Sequence, residues 1–172
     1  LAREGVAVTL FEKEAQLGGI VRQVIPAFRI SDEAIDRDAA MLYKLGVDVR
    51  LNTEAPAVSD LKTQGYTHIL LAVGAWKPGR LDIPGNVQPV IGWLKAIRGL
   101  SGLELGHVAV VGGGNTAMDA ARAALRAGAK SSTIVYRRTR KFMPADAEEL
   151  ELAMDDGVNF LELAAPVKQE NG

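Results

Sequence analysis

Cysteine is absent from the 172 residues. That excludes disulfides, thiolate metal sites, a cysteine nucleophile and a redox dithiol within this chain. An excess of charge is missing too: 20 Lys and Arg against 21 Asp and Glu leave a formal −1 at pH 7. This argues against a nucleic-acid or membrane surface as the main business of the protein. No apolar run reaches the roughly twenty residues a membrane helix needs. No signal-peptide pattern opens the chain, so the cytoplasm is the default expectation. An initiating methionine is lacking as well. "LAREG" reads as the last turn of a helix closed by Gly5, and "APVKQENG" ends in polar loop sequence. Both ends are those expected of a piece cut from a longer protein. What remains is ordinary globular composition, 48% hydrophobic and 24% charged.

The order of elements follows from periodicity and punctuation. Val6–Phe11 ("VAVTLF") is a short β-branched run, hence a buried strand. Ser31 is an N-cap ahead of Asp32 and Glu33, and Ile35, Ala39, Leu42 and Leu45 mark one helical face that Gly46 ends. "VDVRL" is a second strand, "APAVSDLKTQG" a short helix or turn, and Tyr66–Val73 a third strand closed by Gly74. Pro78, Gly79, Pro84, Gly85 and Pro89 punctuate a linker. Then come a helix near Val90–Arg98, a strand at His107–Val111, a helix at Asn115–Ala127, a strand at Thr133–Tyr136, an acidic helix at Asp146–Asp155 and a final strand in "VNFLEL". Strands alternating with helices predict an α/β fold of Rossmann-like parallel sheets. The unit of strand, charged tip, loop, helix and strand occurs twice.

Within this order, "VVGGGNTAMDAAR" (Val110–Arg122) carries the strongest motif. Gly112, Gly114 and Ala117 fit G-x-G-x-x-G/A between a strand and a helix, which is the context a dinucleotide site requires. Gly112 allows the tight turn, Gly114 lets the backbone approach a pyrophosphate, and Ala117 lets the helix lie close to the strand. Ala120, Ala121 and Ala124 continue that close-packed face. The pyrophosphate would sit on the free amides of the helix N-terminus. Asp119 complements the helix dipole. Without a ligand, the same glycines would be a plain turn.

The tip of the next strand selects the nucleotide. An NAD unit places Asp or Glu about twenty residues beyond the glycines. Here the corresponding position is Arg137, in a run with Arg138, Arg140 and Lys141. An acid would repel a 2′-phosphate, whereas guanidinium groups grip one with paired hydrogen bonds. The expected cofactor is therefore NADPH; the competing reading is a solvated basic loop. In the first half Glu12 holds the equivalent tip, as a ribose hydroxyl pair requires, so this half suits an unphosphorylated adenosine such as that of FAD. Gly18 and Gly19 of "AQLGG" offer close backbone approach. No G-x-G-x-x-G precedes Val6, so the FAD-binding domain is incomplete. No residue stands out as acid, base, nucleophile or metal ligand. His68 reads as a core histidine, and His107, at a strand start, as structural.

Together "VTLFEKEAQLGGIVRQVIPAFRIS", "HILLAVGAWKP", "VVGGGNTAMDAARAALRAGA" and "VYRRTRKFMPADAEELELAMDDGVNF" resemble the small subunit of NADPH-dependent glutamate synthase. They also resemble the flavoprotein segment of dihydropyrimidine dehydrogenase and bacterial oxidoreductases of the selenate reductase subunit type. The most specific part is the arginine strand followed by "MPA" and an acidic helix. The resemblance implies a pyridine nucleotide-disulfide reductase-like fold with an NADPH domain inserted into an FAD domain. It also implies hydride transfer from NADPH to FAD, and onward transfer through iron–sulfur clusters to other domains or subunits. By position, Gly112, Gly114, Asn115 and Thr116 would line the NADPH pyrophosphate and Arg137 and Arg138 would take the 2′-phosphate. Glu12 would take the FAD ribose, with Gly18, Gly19 and the Val73–Gly74 strand end near the flavin. Val24 stands where the family usually has glycine before "IP", and Ala72-Val73-Gly74 replaces Ala-Thr-Gly.

The resulting expectation is an electron-entry module. Residues 1–77 form a partial FAD domain, 78–105 a linker and connecting helix, and 106–172 an NADPH domain. The clusters lie elsewhere, because this chain lacks cysteine, and FAD is held weakly or not at all by this piece. The alternatives are a thioredoxin-reductase-like enzyme, which needs a dithiol this chain does not contain, and a non-catalytic scaffold of nucleotide-binding fold.

Overall fold

The computed structural model describes residues 1–77 and 79–170. Pro78, which opens the expected linker, and Asn171 and Gly172, which close the expected second domain, lie outside the described residues. The fold is α/β, and every strand pairing among the described residues is parallel. Two compact units are present: Leu1–Gln23 with Phe28–Trp76, and Val24–Ala27 with Lys77–Gly172.

The first unit begins with a 3-10 turn at Ala2–Glu4 that Gly5 closes in the left-handed conformation. Strand β1 (Thr9–Phe11), helix α1 (Gly19–Gln23), helix α2 (Asp32–Lys44), strand β2 (Asp48–Arg50) and helix α3 (Val58–Thr63) follow. β1 pairs with β2, Thr9 opposite Asp48 and Phe11 opposite Arg50. Helix α2 starts where its acids and cap dictate: the Ser31 hydroxyl accepts from the Ala34 N–H at 3.2 Å, and Asp32 and Glu33 occupy the positive end of the dipole. Ile35 is its buried anchor. Arg22 of α1 reaches across to Asp36 and Asp32 of α2.

Three sequence expectations fail in this unit. The first strand is shorter than Val6–Phe11, because Val6 is exposed and the ladder begins only where the Asp48 N–H meets the Val8 carbonyl at 2.9 Å. Tyr66–Val73 forms no strand, and Gly74 therefore ends none. Its composition is that of a strand, but a strand exists only through a ladder partner, and none lies beside it among the described residues. Leu70, Leu71 and Val73 are each more than three-quarters exposed. His68 is exposed with them and, among the described residues, bonds only to the neighbouring Thr67 hydroxyl, so it is no core residue.

In the second unit, residues 79–89 contain no helix or strand. Helix α4 (Val90–Ile97), strand β3 (His107–Val111), helix α5 (Asn115–Ala127), strand β4 (Ser131–Tyr136), helix α6 (Ala147–Asp155) and strand β5 (Asn159–Glu162) make a sheet of order β3-β4-β5 with its crossover helices. Val111 lies opposite Val135, and Tyr136 opposite Glu162. Ser132 and Ile134 of the central strand are fully buried. His107 bonds to the Ser131 hydroxyl at 2.8 Å, tying two adjacent strand starts. Near the end of the described chain, the Gln169 N–H donates to the Pro84 carbonyl at 2.9 Å, and its side-chain oxygen accepts from the Asn86 N–H at 2.8 Å.

Helix α5 is buried on all sides from Ala117 to Ala124. It packs against β3, β4, α4 and α6, and its alanines admit that many neighbours. Asp119 lies inside the helix body and is buried, so it does not serve the exposed first turn as expected. Arg122, also buried, donates to Asp156 at 2.7 Å and lies 3.6 Å from Glu149. Arg126 donates to both Asp156 oxygens at 2.6 and 2.8 Å. Burial pushes the Asp156 carboxyl upward, but hydrogen bonds and charge from Arg122 and Arg126 outweigh it and hold it below the ordinary 3.8. A depressed carboxyl stabilises the fold above its unfolded-state value, and that contribution fades as pH falls toward the folded one. Asp156→Asn should therefore lower unfolding free energy by about 2 kcal/mol at pH 7. The gap from wild type should narrow below pH 3.8, as urea melts at both ends of the range would measure.

Candidate functional site

β3 does not stop at Val111: the Gly112 N–H still donates to the Val135 carbonyl at 3.1 Å. The chain then turns away at Gly112 with φ 145°, in the region side-chained residues avoid. A Cβ there would lie 3.6 Å from the Ala117 Cβ, so a small residue at 117 keeps the helix close to the strand end. The next two glycines differ in kind. A Cβ on Gly113 would meet the Tyr136 ring at 2.6 Å and Met143 at 3.1 Å, whereas one on Gly114 would meet nothing within 4 Å. Gly113 is needed by the protein itself; Gly114 borders open space.

Gly114 is the N-cap of α5, and no side chain caps the helix. The Ala117 and Met118 N–H groups donate to the Gly114 carbonyl at 2.8 and 3.2 Å. Asn115 and Thr116 are exposed in the first turn. The Asn115 side chain is turned aside: its amide donates to an Asp146 carboxylate oxygen at 2.8 Å, and its oxygen accepts from the Asp146 N–H at 3.0 Å. What this turn presents outward is a glycine surface and first-turn amides without a side-chain acceptor, which together suit an anion.

β4 is the strand next to β3 in the sheet, so its tip stands beside this turn. Arg137 and Arg138 follow directly, exposed and without an ion-pair partner among the described residues, as is Lys141. Arg140, grouped with them by sequence, is spent structurally: it donates to Glu162 through Nε at 2.6 Å and through its backbone N–H at 2.8 Å, and lies over the Phe160 ring. The backbone N–H of Arg140 is the main cause holding the Glu162 carboxyl below its ordinary value. The Arg138 carbonyl accepts from the Leu163 N–H at 3.2 Å, anchoring the basic segment to the end of β5.

In the first unit Glu12 follows β1, half-buried, with one carboxylate oxygen accepting from the Glu14 N–H at 2.9 Å. Gly18 is demanded by packing, since a Cβ would strike Arg22 at 2.9 Å and Ile35 at 3.0 Å. Gly19 borders open space. Gly74 stands beside Trp76, whose ring N–H donates to the Val73 carbonyl at 3.0 Å.

Sequence reasoning singled out "MPA" without giving it work. The structure supplies it: Met143 packs on Gly113, the Ala145 N–H donates to the Gly113 carbonyl at 3.0 Å, and Asp146 holds Asn115. The Tyr136 hydroxyl donates to the Phe142 carbonyl at 2.8 Å. The middle glycine of the triplet was the available signal for this docking.

The chain matches the family described as pyridine nucleotide-disulphide oxidoreductase over residues 1–171. It is 44% identical over 172 residues to an Escherichia coli K12 protein named "Putative oxidoreductase YgfK", covering 96% of this chain and 17% of that one. It is 32% identical to the glutamate synthase [NADPH] small chain of Halomonas elongata, covering 97% of this chain and 39% of that one. The chain thus spans well under half the length of these relatives. Among solved structures, Mycobacterium tuberculosis FprA in complex with NADPH shares the fold with a TM-score of 0.65 at 21% identity, over 88% of this chain and 41% of FprA.

The contrast between the two glycines gives a stability test that needs no ligand. Gly113→Ala should lower unfolding free energy by about 1–3 kcal/mol through overpacking against Tyr136. Gly114→Ala should change it by less than about 1 kcal/mol. Paired urea melts would show the difference.

Proposed function

The chain belongs to the pyridine nucleotide-disulphide oxidoreductase family, and we propose that it is the electron-entry module of a larger NADPH-dependent flavoprotein. NADPH is the hydride source and FAD its acceptor, and iron–sulfur clusters outside this chain lead on to reducing domains or subunits of the parent protein. One observation carries the reading. The open face of Gly114, at an uncapped helix start, follows a strand whose neighbour in the sheet bears two uncompensated guanidinium groups at its tip. A plain turn needs no open glycine face, and a solvated basic loop needs no such neighbour.

Each residue then has a physical task. Gly112 and Ala117 bring the helix start close to the strand end. Gly114 and the Asn115 and Thr116 amides receive the pyrophosphate, whose charge the helix dipole favours. Arg137 and Arg138 receive the 2′-phosphate with paired hydrogen bonds, and their full charge is available because no carboxylate neutralises it. In the first unit Glu12 takes the adenosine ribose of FAD, and Gly18, Gly19 and Gly74 lie toward the flavin. No glycine turn of the 112–117 kind precedes β1 among the described residues, so the flavin diphosphate relies on groups beyond them. The working division is thus an FAD-side part at 1–77, a connection at 78–105 and an NADPH domain at 106–172.

Titration calorimetry tests the nucleotide site. NADPH should bind at least tenfold more tightly than NADH, a difference of about 1.4 kcal/mol, and Arg137→Ala/Arg138→Ala should erase the preference. Gly114→Ala should weaken both nucleotides. Equal affinity for NADPH and NADH in the unaltered chain would overturn the reading. FAD offered to the chain alone should be lost on desalting, and retained yellow colour would show that the first unit suffices.

A further inference from the structure

Asn115 and Asp146 stand at the starts of two helices, α5 and α6, and their side chains meet. Asp146 is the N-cap of α6, a position where an aspartate ordinarily accepts from its own helix, yet its carboxylate makes no such bond. It accepts instead from the Asn115 amide at 2.8 Å, while its backbone N–H donates back to the Asn115 oxygen at 3.0 Å. Both residues are exposed, so the pair adds little to global stability. Its consequence is local. Between β4 and α6 runs the segment that bears Arg137, Arg138 and Lys141. The Arg140–Glu162 and Arg138–Leu163 bonds fasten its first part to β5. The Asn115–Asp146 pair and the Ala145–Gly113 bond fasten its far end to the glycine turn.

We propose that Asn115 and Asp146 form a latch that fixes the basic segment at a set distance from the glycine turn. Two residues that do not touch the 2′-phosphate would thereby determine selectivity for the phosphorylated dinucleotide. A bound nucleotide engages both places at once through one rigid ribose–diphosphate frame. The arginines add affinity only if their spacing from the turn already matches that frame; otherwise ordering the segment consumes the gain. The proposal rests on the reading of this turn as an NADPH site and makes both residues positioning residues.

The test is a double-mutant cycle on the whole chain, with the NADPH-to-NADH affinity ratio as readout. Asn115→Ala and Asp146→Ala should each cut the ratio by about fivefold or more, with little change in melting temperature. The double variant should lose no more than Asn115→Ala alone, because that change already removes both bonds of the pair. Asp146→Asn retains an acceptor for the Asn115 amide and should keep the ratio. If one alanine variant fails to fold, the other carries the test against Asp146→Asn. Both nucleotides weakening equally, or the two losses multiplying in the double variant, would overturn the latch. So would a collapse in Asp146→Asn as large as in Asp146→Ala. Unaltered protein that prefers NADPH, with the preference kept in the alanine variants, overturns the latch alone. Unaltered protein with no preference overturns the site reading and the latch together.

Discussion

The second unit depends on one close approach, that of helix α5 to everything around it. A helix surrounded by two strands and two helices can be approached closely where its side chains are short, and Ala117, Ala120, Ala121, Ala123 and Ala124 supply that condition around the larger Met118 and Arg122. Alanine burial releases little apolar area per residue. The gain lies in the larger neighbours that α5 allows to close, including fully buried Ile134 and Leu94 at 2% exposure. The same closeness fixes where α5 begins. Its first turn must rise directly from the end of β3, and that requires glycine at 112 and a small residue at 117. The candidate site is thus the outer end of a packing solution.

Much of this was legible because the local code and the tertiary structure agree. The Ser31 cap, the acids behind it and the Gly46 stop bound α2 closely. The glycines before and after Asn115–Ala127 bound α5 to the residue. Tyr66–Val73 shows where legibility ends. Its apolar, β-branched composition is a statement about burial in a sheet, and composition cannot report whether a partner lies alongside. Once the ladder is absent, the strand reading falls, and the core assignment of His68 falls with it.

At the site, residue types were legible and their commitments were not. Arg137, Arg138, Arg140 and Lys141 look equivalent in sequence. Only the placement of Glu162, twenty-two residues beyond Arg140, divides the structural arginine from the uncommitted ones. Asp146 likewise reads only as the first acid of an acidic helix, while its actual partner lies thirty-one residues away. The three glycines invite a single explanation, yet one is fixed by its dihedral angle, one by an aromatic ring and one by empty space. Contacts at such separations have no periodicity to betray them.

The hydrogen bonds between Gln169 and the Pro84–Asn86 stretch have a consequence of their own. They bring Pro84, ahead of α4, and Gln169, beyond β5, within one backbone hydrogen bond of each other. The stretch between them is a closed loop, and the entropy of holding its two ends together is met inside it. A body with adjoining ends can be spliced into a surface turn of another fold, or exchanged for a different one, while the host's pairing stays in register. A segment closed in this way can therefore be exchanged as one piece.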